Sequence, residues 1–178
     1  NIAPANDVSD PSSWGIGGKL LFEIDDQTEM LLSASFDRRR SSQGQANRVV
    51  PGTFGAGGFQ PELAGAGFYD GTTDIDGYYV NKFQQYSAKL SHDFDNARFV
   101  SITAYSQVTG SPSVLDIESS PLPIFNAYTG QGSRTWTQEL QLLSPEGSDI
   151  NWIIGAFFLR DRSYFRAQFV GSAFGSNE

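Results

Sequence analysis

The chain has 178 residues with 20 acidic and 12 basic side chains, a formal charge of −8. That balance sets the dominant electrostatic term against a nucleic-acid partner. The absence of cysteine rules out disulfides, thiolate metal sites and a cysteine nucleophile. No run of about eighteen apolar residues exists, which excludes a transmembrane helix but not a membrane β-barrel, whose strands alternate. Nineteen glycines, fourteen phenylalanines and seven tyrosines are a β-protein composition, rich in turns and aromatic strands. The chain begins at Asn1 with no charged-then-apolar leader, so a secretory signal is expected to be absent or already removed.

Taken in chain order, alternation of apolar and polar positions predicts strands, because successive side chains point to opposite faces. Residues 18–24 place Leu20, Phe22 and Ile24 opposite Lys19, Leu21 and Glu23. After the short turn Asp25, Asp26 and Gln27, residues 28–38 place Met30, Leu32, Ala34 and Phe36 opposite Glu29, Ser33 and Ser35. Residues 82–92 set Tyr86, Ala88 and Leu90 against Ser87, Lys89 and Ser91; residues 98–108 set Val100, Ile102 and Ala104 against Ser101 and Thr103. Residues 135–143 set Trp136, Gln138, Leu140 and Leu142 against Thr137, Glu139 and Gln141. The turn-forming run Ser144 to Asp149 follows. In residues 150–162 Trp152, Ile154, Ala156 and Phe158 share a face, but Ile153, Phe157 and Leu159 make the other face apolar too, and parity leaves the facing open.

Six strands thus make three hairpins with short turns. Residues from about 40 to 81 and from about 110 to 133, rich in Gly, Pro, Ser and Asn, are expected as long connections between them. Alternating short and long links belong to outer-membrane barrels, and strands of about nine to twelve residues match what a tilted strand needs to cross the hydrocarbon layer. The expected fold is therefore all-β: an antiparallel up-and-down meander over residues 1–178, part of a transmembrane β-barrel with long outer loops. Trp14 and Trp136, after a terminal and a long segment, and Trp152, after a short turn, are expected to mark the two membrane interfaces.

The segment "TWTQELQLLSPEGSDINWIIGAFFLRD", with Gln138-Glu139-Leu140 before the turn and Trp152, Gly155 and an aromatic pair after it, resembles a recurring barrel hairpin of TonB-dependent outer-membrane receptors. "KFQQYSAKLSHDFDNARFVSITAYSQ" resembles the hairpin that often precedes it. The resemblance spans about half the chain. It implies a bacterial outer-membrane protein that imports a scarce nutrient such as a ferric siderophore, working with outer-membrane lipid, the remaining barrel and plug, and the TonB energy-coupling protein. The sequence carries no energy-coupling box, no plug-like segment and no aromatic terminal residue, so the expectation is an internal piece of the barrel with the plug domain absent. A soluble β-sandwich module for carbohydrate binding or adhesion is the alternative.

Candidate site residues are few. Phe68, Tyr69, Tyr78 and Tyr79 lie in the first long connection and combine apolar rings with polar tips suited to gripping a ligand. Asp70, Asp74 and Asp76 in the same stretch offer oxygen ligands to a hard cation such as calcium, without the spacing of an EF-hand. Arg38, Arg39 and Arg40 close the second strand where a lipid phosphate or anionic ligand would lie. His92 is the sole histidine, which leaves no histidine cluster to form, and is read as a solvated turn residue. Glu139 and Asp161 lie on different strands with nothing in the sequence to set their separation. No enzyme and no cofactor is expected.

Overall fold

The computed structural model describes residues 11–42, 74, 75, 77–117 and 122–174. Seven strands form one antiparallel sheet: β1 (Pro11–Asp25), β2 (Thr28–Ser42), β3 (Tyr78–Phe94), β4 (Ala97–Gly110), β5 (Ser113–Asp116), β6 (Asn126–Leu143) and β7 (Ile153–Val170). Neighbours run β1-β2-β3-β4-β6-β5, with β7 on the other edge of β6. The fold is an all-β, antiparallel meander, and the sheet is open: among the described residues β1 pairs only with β2, and β7 only with β6. No helix among the described residues is long and apolar enough to cross a membrane, which says nothing about strands that cross.

The six expected strands are all present, but each main strand is longer than expected, at 14 to 18 residues. A ladder needs only backbone N–H and C=O groups, so pairing continues past the point where hydrophobic alternation stops. Arg39 to Ser42 still pair with Asn81 to Tyr78, although neither stretch alternates. About half of the expected loop from about 110 to 133 is strand as well. Beyond Gly110 the chain bends and continues as β5 against the first residues of β6. Thr109 pairs with Gly132 and Ser113 with Thr129, so Gly110, Ser111 and Pro112 oppose only Gln131 and Gly130. This is a one-residue bulge, placed where Pro112 has no N–H to give a ladder.

All three short turns lie at one end of the sheet. The first is closed by the Gln27 N–H donating to Asp25 Oδ1 at 2.9 Å. The third spans residues 144–152, where the Ser144 N–H donates to the Trp152 carbonyl at 2.9 Å and Gly147 supplies a φ of 80°. The last strand therefore starts at Ile153 rather than 150.

Register decides which residues share a face. One row crosses the sheet as Leu20, Leu32, Ala88, Thr103, Gln138 and Phe158; the next toward the turns is Phe22, Met30, Leu90, Ser101, Leu140 and Ala156. The opposite face carries Lys19, Ser33, Ser87, Ala104, Thr137 and Leu159, then Leu21, Leu31, Lys89, Ile102, Glu139 and Phe157. The first is the apolar face and the second the polar face. The open facing of the last strand is resolved: Ile154, Ala156 and Phe158 join the apolar face.

The sequence reading that builds one apolar face from Leu20, Phe22, Met30, Leu32, Ala88, Val100, Ile102, Leu140 and Leu142 is overturned in part here. Val100, Ile102 and Ala104 do not join Ala88 and Leu90; they lie on the polar face, and Ser101 and Thr103 lie on the apolar one. The reason is the two-residue turn between β3 and β4, which sets Phe94 opposite Ala97, so that every even position of β3 faces an odd position of β4. The misplaced hydroxyls are accommodated by one another. Thr103 Oγ1 donates to Gln138 Oε1 at 2.6 Å, and Gln138 Nε2 donates to Ser101 Oγ at 3.0 Å and to the Glu139 carbonyl at 3.3 Å.

Being one layer thick, the sheet buries little. The buried apolar residues among those described are Val100, Val114 and Ala127, while Leu20 (62%), Ile154 (67%) and Phe158 (56%) stand open. On the polar face Arg98 reaches Glu29 at 3.4 Å and Asp93 at 3.5 Å, linking β4 to β2 and β3.

Candidate functional site

The bulge at Pro112 builds a polar groove at the end of the sheet remote from the short turns. Ser111 is drawn onto β3: its N–H donates to the Val80 carbonyl at 2.8 Å and its Oγ accepts from the Val80 N–H at 2.9 Å. Gly110 allows this approach, since a Cβ there would stand 2.9 Å from Asn81 Oδ1 and 3.0 Å from the Gln131 carbonyl. Across the bend Ser113 and Thr129 share a hydroxyl–hydroxyl hydrogen bond. The resulting groove, about 280 Å³, is lined by Tyr79, Asn81, Ser111, Ser113, Thr129 and Gln131. Hydroxyl and amide groups dominate it, which suits hydrogen bonding to a neutral polyol or hydrated ligand rather than acid–base chemistry. A wider groove of about 660 Å³ continues along the middle of the polar face, over Lys19, Ser33, Ser35, Gln85, Ser87, Ser106, Thr135 and Thr137.

Of the two expected ligand-gripping aromatics among the described residues, Tyr78 and Tyr79, it is Tyr79 that lines the polar groove. Tyr78 is its neighbour in β3 and points to the other face, 48% exposed. Phe68 and Tyr69 lie outside the described residues, as do Asp70 and Asp76. Asp74 accepts a hydrogen bond from Asn126 Nδ2 at 2.7 Å, beside Asp116, which pairs with Asn126 across β5 and β6. Among the described residues no three His, Cys, Asp or Glu side chains converge on a metal position. Asn81, Ser111, Ser113, Thr129 and Gln131 were hidden within sequence that reads as loop. The spacing of Ser111 with Ser113 and of Thr129 with Gln131, polar at every second position, is the strand signal present there.

The remaining candidates separate by face. Arg38 and Arg40 stand on the apolar face, while Arg39 turns to the polar one and lies 5.2 Å over the Phe83 ring. Trp14 and Trp136 are both on the apolar face, but neither begins its strand: β6 starts ten residues before Trp136, at Asn126. Trp152 sits at the opposite end, beside the third turn. Three further aromatics, missed by reading strand ends, lie on the same face between Trp14 and Trp136: Phe36, whose ring centroid is 5.2 Å from that of Trp14, and Tyr86 stacked on Tyr105 at 6.5 Å. His92 is more engaged than a solvated turn residue, with Nδ1 2.8 Å from Thr28 Oγ1 and its ring 4.3 Å edge-on to Phe94. Glu139 and Asp161 share the polar face but stand four positions apart, about 13 Å along the strands. Each is held by a neutral neighbour, Gln141 and Thr135 respectively. No protein-family model matches the chain, and none of the curated proteins does.

Proposed function

We propose that this chain is a segment of the transmembrane barrel of a TonB-dependent receptor in the bacterial outer membrane, importing a scarce nutrient such as a ferric siderophore. One observation carries the membrane part of this reading: the aromatic line on the apolar face. It runs Trp14, Phe36, then Tyr86, Tyr105 and Trp136 in one row, then Phe158, and falls three register rows from β1 to β7. At two residues per row that is about 20 Å along the strands. Strands about 4.8 Å apart and tilted by about 40° need the same drop, about 20 Å over the five steps from β1 to β7, for a line at constant height in a membrane. An aromatic girdle of this type flanks the apolar band of outer-membrane barrels.

Three further features support the reading. The polar groups within the apolar band, Ser101, Thr103 and Gln138, bond to one another, as groups facing hydrocarbon must. Both sheet edges have backbone groups awaiting further strands, which the rest of a closed barrel supplies. Short turns at one end and longer connections at the other give the periplasmic and outer sides. In this arrangement the polar face lines the lumen beneath the plug, and the groove at Tyr79 and Asn81 opens on the outer side, where nutrient arrives. The transport assignment rests on the hairpin resemblance; coupling to TonB belongs to segments outside this chain.

Sidedness tests the proposal directly, and the lack of native cysteine makes the experiment clean. A membrane-impermeant thiol reagent applied to intact cells should label Leu122→Cys on the outer side and spare Glu146→Cys in the third turn until the outer membrane is opened. Equal labelling of both in intact cells, or recovery of the protein in the soluble fraction, would reject it.

A further inference from the structure

Most strand carboxylates of this protein lie on one face, while cations stand on both. Of the carboxylates within the strands, Glu23, Glu29, Asp37, Asp93, Glu139 and Asp161 all lie on the polar face. On the apolar face Asp25 sits at the first turn, paired with Thr28, and Asp116 is buried at the loop end beside Asn126. Above the aromatic line this face instead carries Arg38, Arg40, Lys82, Arg134, Arg160 and Arg162, in a chain whose net charge is −8. Arg166 extends the series, 5.7 Å over the Tyr164 ring. That ring crosses Gly132, where a Cβ would come within 2.7 Å of it. The ion pairs among the described residues are those of Arg98 on the other face, so none of these cations is paired with a carboxylate among the described residues.

Their placement follows the aromatics. Arg38 and Lys82 share the row of Trp14; Arg134 and Arg162 lie one row nearer the turns, and Arg160 one row further, beside Trp136. From Arg38 and Lys82 through Arg134 to Arg160 the cations thus descend across the sheet in the same sense as the girdle and on its loop side, with Arg40 and Arg166 further toward the loop end. We infer that this belt binds the phosphate groups of membrane-lipid headgroups. The inference rests on the membrane reading above and adds to it a specific lipid chemistry. Charge complementarity argues for it: guanidinium groups form paired hydrogen bonds with phosphate oxygens. Below the belt the acyl chains would lie against Leu20, Leu32 and Ala88. A belt made only to face water would have no reason to exclude the carboxylates that the other face carries in number.

The test uses the purified full-length barrel that carries this segment, in vesicles of phosphatidylcholine alone or doped with phosphatidylglycerol, with insertion scored separately by shielding from protease. Native mass spectrometry then reads the lipid retained. The protein should hold phosphatidylglycerol over phosphatidylcholine, less so at high salt. Arg38→Gln/Lys82→Gln/Arg134→Gln/Arg162→Gln should lower retention by about tenfold or more. Lys19→Gln/Lys89→Gln on the polar face should not, and an Arg→Lys version of the belt should recover most of it. Inserted protein with no phosphatidylglycerol preference, or a glutamine variant that retains as much, overturns the inference and leaves the membrane reading standing. Full displacement by inorganic phosphate would assign the belt to a free anion and overturn the lipid. Protein that fails to insert but still gathers phosphatidylglycerol at the vesicle surface would remove the barrel reading and keep the belt.

Discussion

Single side chains on this sheet have different weights according to face. Leu32, Ala88 and Leu140 are on the apolar face, so arginine at any of them should destabilise the membrane-inserted protein by about 2–4 kcal/mol near the midplane. Arginine at Ile102, apolar yet on the polar face, should cost clearly less. Denaturant titration of the protein in lipid vesicles measures both, and equal losses would show the facing to be wrong. Gln138 is the hub of the hydroxyl cluster, so Gln138→Leu should cost about 1–3 kcal/mol by leaving Ser101 and Thr103 without their partner. Replacing all three with apolar residues of similar shape should recover most of that loss, because the penalty comes from the orphaned groups.

Strand pairing is where the reading by pattern and the structure diverge. The turn at Asp95 and Asn96 pairs Leu90 with Ser101. In the cysteine-free background, Leu90→Cys/Ser101→Cys should therefore cross-link on mild oxidation. Leu90→Cys/Ile102→Cys, the pair that matched hydrophobic faces would suggest, should not, because those side chains point to opposite sides. The β4–β5 bend offers a second check at this scale. Gly110→Val should force Asn81 and the Gln131 backbone apart and open the polar groove, read as lower protection of the Ser111 and Val80 amides from hydrogen exchange.

For the molecule as a whole, the open edges are the governing feature. Among the described residues the outer edges of β1 and β7 present long rows of backbone groups with no strand beside them, and large side chains stand exposed on the faces. In hydrocarbon each unpaired group costs several kcal/mol, and in water such edges recruit other strands. Residues 1–178 expressed alone should therefore associate or aggregate in buffer. Size-exclusion chromatography of a detergent-free sample checks this; a cooperatively melting monomer would instead mean that something in the chain covers the apolar face.

Alternation within single strands, the six strand positions, the three tight turns and the mixed polarity of each hairpin were all legible in the sequence, because they depend on neighbours two residues apart. What one strand's pattern cannot carry is its phase relative to the next. That phase is set by turn length and bulges, and it moved Ile102 to the polar face and Thr103 to the apolar one. The same limit hid the girdle and the cation belt, whose members are at most two or three per strand and become lines only when register aligns β1 through β7. The polar groove was hidden for a related reason: Ser111, Thr129 and Asn81 are far apart in sequence and meet because the ladder runs on through a proline-bearing bend, held by backbone groups that leave little trace in side-chain pattern.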